Sequence, residues 1–196
     1  MKYLGRAVGL LLIAIVGLSF FNYSDQSVVT ARELTADSSW VCLPCGSACD
    51  NTVHDKPGIC SQCNMKLVTK ESVKFKSIDP GDICSFIDAK GKGNVLLLDV
   101  RTAREFKGEA NEKFGRLKDA INIPVQELEK RMDELKQYKN REIIVYCSHS
   151  HRSPQASYLL NQNGFTKVTN MNYGMSEWKN KVSPDGCSNK IYVNQQ

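Results

Sequence analysis

Two cysteine-bearing segments could do chemistry in this chain. The first centres on Cys147, at the end of the apolar run Glu142-Ile143-Ile144-Val145-Tyr146 and just before Ser148-His149-Ser150-His151-Arg152-Ser153-Pro154. The pattern predicts a strand, a tight loop and a helix N-terminus, with the thiol at the start of the loop. Loop amides and the helix dipole then point positive partial charge at the sulfur. That favours the thiolate and holds an anionic substrate or leaving group next to it. Arg152 adds a permanent planar charge suited to oxyanions. His149 and His151, if protonated, assist anion binding and lower the thiol pKa; if neutral, they can join Cys147 on a metal. The bland alternatives are a buried structural cysteine and two ordinary exposed histidines.

The second segment lies upstream. Cys42 and Cys45 form one Cys-x2-Cys pair, Cys60 and Cys63 another, separated by residues 46–59. This is the spacing of a tetrahedral thiolate site, and Cys49, His54 and Met65 are spare candidate ligands. Thiolates select zinc or copper(I); zinc is the first expectation, and copper(I) or another soft metal the second. Two disulfides are the competing reading. The segment holds too few apolar residues to stand without a staple.

The elements that position Cys147 alternate in type. Residues 74–78, 95–100, 143–146 and 167–170 read as strands. Residues 80–89, 125–138 and 154–163 read as amphipathic helices, with Ile83, Phe86 and Ile87, then Leu128, Met132 and Leu135, then Ala156, Leu159 and Leu160 facing inward. Asn163-Gly164 supplies a helix stop. Such alternation implies an α/β domain with a mostly parallel central sheet flanked by helices. Sites in such sheets lie at the carboxyl ends of strands, where Cys147 falls on one strand and Asp99 and Arg101 on another. Asp99 and Arg101 are expected to be a supporting ion pair, and Trp178 a core residue.

The Cys147–Arg152 loop resembles the Cys-x4-Arg loop of the rhodanese family of single-domain sulfurtransferases; related phosphatases use a loop one residue longer. The likeness extends over 73–182 through Asp99-Val100-Arg101, Glu105-Phe106, Asp119-Ala120-Ile121-Asn122-Ile123-Pro124 and Gly174-Met175-Ser176-Glu177-Trp178. Asp119 and Ser150 stand where that family usually has glycine, and Met175 is read as replacing the second glycine of a closing Gly-Gly-x-x-x-Trp. The resemblance implies Cys147 as nucleophile and persulfide carrier. It also implies Arg152 orienting a donor oxyanion, and Ser148, His149, Ser150, His151 and Ser153 forming the substrate-binding loop. Residues 40–69 are similar to the small heavy-metal-binding domains of exported bacterial proteins, through Pro57-Gly58, Cys60, Cys63, Met65 and Leu67. Asn64 replaces a glycine there, and Pro44-Cys45 replaces Met-His. On that likeness Cys42, Cys45, Cys60 and Cys63 are the ligands.

Lys2 and Arg6 precede an uncharged apolar run, 7–21, which has the layout of a signal peptide. It is short for a bilayer span, although an uncleaved anchor is the alternative. The expected organisation is therefore a signal or anchor over 1–21, a polar linker over 22–39, a cysteine-rich metal module over 40–69, a rhodanese-like domain over 73–182 and a loose C-terminal tail over 183–196. Cys84 is expected to be buried in its helix and Cys187 free on the tail. The bulk of the chain is expected to be exported, either periplasmic or anchored on the outer face of the inner membrane. A formal charge of +5, spread along the chain, does not argue for nucleic acid.

Three functions fit this reading. The first is a sulfurtransferase moving sulfur from a small donor such as thiosulfate to a thiol or cyanide acceptor. The second is a metal-handling protein using the cysteine pairs and the Cys/His loop without turnover. The third is a phosphatase or arsenate reductase using the same thiolate cradle.

Overall fold

Val95–Leu98 and Ile143–Tyr146 are apolar at successive positions, as strands must be when both faces of a sheet are covered. In the computed structural model, which describes residues 39–184 and 186–195, they are neighbours in a five-stranded sheet. In chain order the strands are β1 (Trp40–Val41), β2 (Val53–His54), β3 (Val68–Thr69), β4 (Lys76–Ile78), β5 (Val95–Asp99), β6 (Arg116–Leu117), β7 (Ile121–Asn122), β8 (Glu142–Tyr146), β9 (Val168–Met171) and β10 (Tyr192–Val193). The helices are α1 (Ile83–Lys90), α2 (Ala103–Lys107), α3 (Val125–Leu128), α4 (Arg152–Gln162), α5 (Trp178–Lys181) and α6 (Gly186–Ile191).

The main sheet runs β4-β9-β8-β5-β7, and each pairing is parallel. Alternation along the two central strands divides the core. Leu96, Leu98, Ile143 and Val145 pack with Leu128, Ala156 and Leu160 from α3 and α4. Val95, Leu97, Ile144 and Tyr146 pack with Ile83, Ile87, Trp178 and Ile191 from α1, α5 and α6. This is the α/β architecture the alternating pattern predicts. The cysteine-rich segment folds as a small antiparallel sheet, β2-β1-β3. Its Cys42, Leu43, Cys45, Met65 and Leu67 join the α3/α4 side of the core.

Two local expectations are corrected. The helix predicted over 125–138 is broken: α3 ends at Leu128 and a 3-10 helix runs Met132–Tyr138. The Arg131 amide is shared between the Glu127 and Leu128 carbonyls, and Glu134 then bonds back three residues to Arg131, which tightens the winding. Leu128 and Leu135 still reach the same core, so the apolar spacing is satisfied by either winding. The second correction concerns 183–196, read as a loose tail. α6 buries Ile191, β10 pairs antiparallel with β6, and Tyr192 stacks on Trp178 with ring centroids 6.0 Å apart. Cys187 is not free: it forms a disulfide with Cys84 on α1, with Cα atoms 5.7 Å apart. The apolar triplet Ile191-Tyr192-Val193 is too short for its pattern to predict an element. The proposed signal segment and nearly all of the linker lie outside the described residues. Among those described, no helix is long and apolar enough to cross a membrane.

Joining Cys84 to Cys187 closes a loop spanning almost the whole α/β domain, which restricts the unfolded chain strongly. Cys187→Ser is expected to lower unfolding stability by about 4 kcal/mol in non-reducing denaturant titrations. Reducing that disulfide in the unmutated protein should bring its curve to that of the variant.

Candidate active site and metal centre

Cys147 follows the last residue of β8, and its side chain is buried, at 1% exposure. The Ser153 hydroxyl, also buried, lies 3.4 Å from the sulfur. Between them the chain turns sharply at Ser150, whose φ of 55° is left-handed. That is a conformation glycine adopts freely and serine does not. Ser150 is held there by full burial and by the Asn170 amide, which donates to its Oγ at 3.3 Å. Among the described residues, the backbone N–H groups of Ser148 to Arg152 find no protein acceptor, leaving them available to an anion at the mouth of α4.

The far side of the loop is fixed through its carbonyls. Met175 N–H donates to Cys147 O at 2.9 Å and Ser176 N–H to Ser148 O at 3.0 Å. A Cβ on Gly174 would run into those same two carbonyl groups. This corrects one sequence assignment. Gly-Gly-x-x-x-Trp counted back from Trp178 falls on Tyr173 and Gly174, so Tyr173 is the replaced glycine and carries its positive φ, 61°. Met175 is an ordinary buried residue of a 3-10 turn.

Arg152 does not stand free. Its guanidinium makes a bidentate pair with Glu105 on α2, both bonds 2.7 Å, and Nη2 also donates to Ser148 Oγ at 3.1 Å. Ser148 Oγ in turn donates to Glu105 at 2.9 Å. Hydrogen bonding from Arg152 holds the Glu105 carboxyl far below the usual carboxylate range, with burial opposing and Thr102 and Ser148 assisting; the same pairing raises Arg152. Glu105 was missed as a site residue. Its signal was present, since Thr102-Ala103-Arg104-Glu105 is a capping box and both of its reciprocal bonds form. His149 and His151 are exposed, and His149 packs edge-on to Phe114 at 5.2 Å. Neither belongs, with Cys147, to any of the metal-competent groups among the described residues.

Asp99 and Arg101, at the end of β5, are almost fully buried and pair with each other at 2.7 to 3.1 Å. Burial works against the charged Arg101, but its hydrogen bonds and attraction to Asp99 outweigh this and raise its pKa. Arg101 also donates to Gly115 O at 2.9 Å, so the pair ties β5 to the turn before β6. A cavity of about 420 Å³, lined by Ile87, Val95, Leu97, Ile121, Tyr138 and Arg141, touches neither Cys147 nor the upstream cysteines.

Upstream, four sulfurs converge: those of Cys42, Cys49, Cys60 and Cys63 lie within 4.8 Å of one another. Cys49 stands where the pair spacing placed Cys45. The reason is Asp50, whose carboxylate accepts from the Cys45 and Gly46 amides at 2.7 to 3.1 Å and turns the Cys45 thiol toward itself, at 3.4 Å. The second knuckle folds as its sequence predicts: Asn64 N–H donates to Cys60 O, Cys60 N–H to Met65 O, and Asn64 takes the left-handed φ of 58°. Burial works against a Cys60 thiolate, but the Cys63 and Gln62 amides bring its pKa down to about 7. Burial, with neighbouring thiols, pushes Cys42 well up and Cys49 to about 12. Four sulfurs so placed are a donor set that could hold a metal ion, since binding displaces the thiol protons. Met65 packs in the core. His54 lies opposite Trp40 in the small sheet, outside the four-sulfur group, with Nε2 buried and unpartnered among the described residues.

The model of the rhodanese-like domain matches residues 85–181. A sulfurtransferase of Allochromatium vinosum is 33% identical over 97 residues, covering 47% of this chain and 83% of that protein. The chain belongs to the rhodanese-like family. A tRNA uridine(34) hydroxylase of Buchnera aphidicola is 29% identical over 123 residues; the match takes in 58% of this chain but only 38% of that longer protein. Among solved structures, a rhodanese-related protein from Thermoplasma volcanium aligns over 56% of this chain and 96% of its own, with 25% identity and a TM-score of 0.44. The four-sulfur cluster lies outside the matched domain.

A depressed carboxyl pKa stabilises the fold fully above the ordinary value, here 4.5, and that contribution is lost as pH falls below it. Glu105→Gln is therefore expected to be less stable than the unmutated protein at pH 7. The two should converge as the pH is lowered from 5 toward 2, read as urea midpoints across that range. Parallel curves would mean that ionisation of Glu105 is not coupled to folding.

Proposed function

We propose that the protein is a sulfurtransferase whose carrier is Cys147. The supporting observation is the placement of one buried sulfur at the end of β8, ringed by unpaired loop amides, at the mouth of α4. The Cys147 thiolate attacks the outer sulfur of a donor such as thiosulfate. The donor's S–S bond breaks, sulfite leaves with the bonding pair, and Cys147 becomes a persulfide anion. A thiolate or cyanide then attacks that outer sulfur and regenerates Cys147. The loop amides from Ser148 to Ser153 stabilise the anion, and such aimed dipoles are usually the largest contribution available. The Ser153 hydroxyl can donate to the thiolate. Arg152, already paired with Glu105, shapes the loop and offers only its outer edge to the donor's oxyanion.

Cys42, Cys49, Cys60 and Cys63 form a zinc staple in this reading, as four-thiolate sites in small folds commonly do. The module is a cysteine-rich variant of a heavy-metal-binding domain. The basic-then-apolar N-terminus makes the chain exported, periplasmic or held at the outer face of the inner membrane.

Intact mass spectrometry of the reduced protein after thiosulfate is expected to show one added sulfur atom, discharged by cyanide and absent in Cys147→Ser. No gain on reduced, folded protein would reject the mechanism. The purified protein should also carry zinc that Cys60→Ser loses, measured by elemental analysis; zinc retained at full occupancy in that variant would reject the four-sulfur staple.

A further inference from the structure

Five cysteines crowd the module, and a tetrahedral ion uses four. The fifth, Cys45, is neither exposed nor idle. It is 3% exposed, and its sulfur belongs to a second convergent group with Cys49 and Asp50, whose ligand atoms also lie within 4.8 Å of one another. Cys49 is common to both groups. We propose that the module binds two thiophilic d10 cations, with Cys49 as a bridging thiolate. One is held by Cys42, Cys49, Cys60 and Cys63, and the other by Cys45, Cys49 and Asp50. This rests on the reading of the four-sulfur group as a metal centre.

Geometry supports the second site. A tetrahedral zinc with a Zn–S distance of ~2.3 Å and a Zn–O distance of ~2.0 Å sets its sulfur and oxygen ligands about 3.5 Å apart. Cys45 Sγ and Asp50 Oδ1 are 3.4 Å apart. The carboxylate is already aimed: the Cys45 amide reaches both oxygens and the Gly46 amide takes Oδ2, leaving the Oδ1 edge toward the sulfur. Hydrogen bonds behind a ligand fix its orientation and are part of how a metal site is built.

Cys45 is fixed from the other side as well. Tyr173 N–H donates to Cys45 O at 3.4 Å and the Asn170 amide to Pro44 O at 3.1 Å. The Tyr173 ring lies where a side chain on Gly46 would have to go. The backbone of Cys45 is thus pinned to the end of β9, with its thiol set beside Asp50 and Cys49.

A bridging thiolate serves both cations without adding a ligand. The two sites would differ in character. The first is closed by four protein ligands. The second has three and leaves a position for an outside ligand, as exchangeable and catalytic sites do.

The test is native mass spectrometry of the full chain, stripped of metal with its module thiols reduced and the Cys84–Cys187 disulfide kept closed, then titrated with cadmium as the probe. Two ions are expected on the unmutated protein, the second bound more weakly. Cys45→Ser and Asp50→Asn should each stop at one, and that retained ion shows that the module is still folded. Saturation of the unmutated protein at one ion overturns the second site and leaves the first intact. Two ions retained by Cys45→Ser also overturn it, by placing the second ion elsewhere. No ion on the unmutated protein rejects both centres.

Discussion

Two peptide carbonyls, those of Cys147 and Ser148, are the point on which the site depends. They are held by the amides of Met175 and Ser176, and that contact exists only because Gly174 has no side chain. The loop amides can face outward toward an anion because the carbonyls on the same turn are tied inward. The chain leading into this contact also reaches the cysteine module, through Asn170 to Pro44 and Tyr173 to Cys45. Asn170 touches Ser150 as well, so one buried amide serves both the strained turn of the loop and the first cysteine knuckle.

The charged side chains near Cys147 mostly cancel one another. Asp99 is spent on Arg101, and Glu105 on Arg152. Both pairs are bidentate and supported by further hydrogen bonds, the condition under which a buried or half-buried ion pair is tolerated. In the proposed reaction, stabilisation of a sulfur anion would fall chiefly to backbone dipoles, which are rigid and need no reorganisation. A free arginine would add attraction but would also have to be held in place.

Much of this was legible in the sequence. The alternation of strands and helices, the position of Cys147 and the knuckle at Cys60 follow from local patterns. The departures from family glycines were informative in an unexpected way. Asn64, Asp119, Ser150 and Tyr173 are the four non-glycine residues with positive φ among those described, and each stands where the resembled families have glycine. The backbone keeps the conformation while the residue changes, at a cost the surrounding packing must offset. What was not legible depends on long-range or side-chain geometry. Spacing alone cannot show that Asp50 turns Cys45 aside and admits Cys49. It cannot pair Cys84 with Cys187, and it cannot reveal that Glu105 occupies the arginine of a loop far along the chain.

The chain carries one disulfide and six free thiols, five of them gathered in one small module. These demand opposite conditions during biogenesis. In the unfolded chain, oxidation that joins Cys84 to Cys187 can also join thiols of the module or cap Cys147, since exchange proceeds at any accessible thiolate. Correct maturation is therefore a kinetic partition. The thiols of the module must be masked by folding or by a bound cation before the C-terminal pair closes, so that the last covalent link forms on a chain whose other sulfurs are already out of reach.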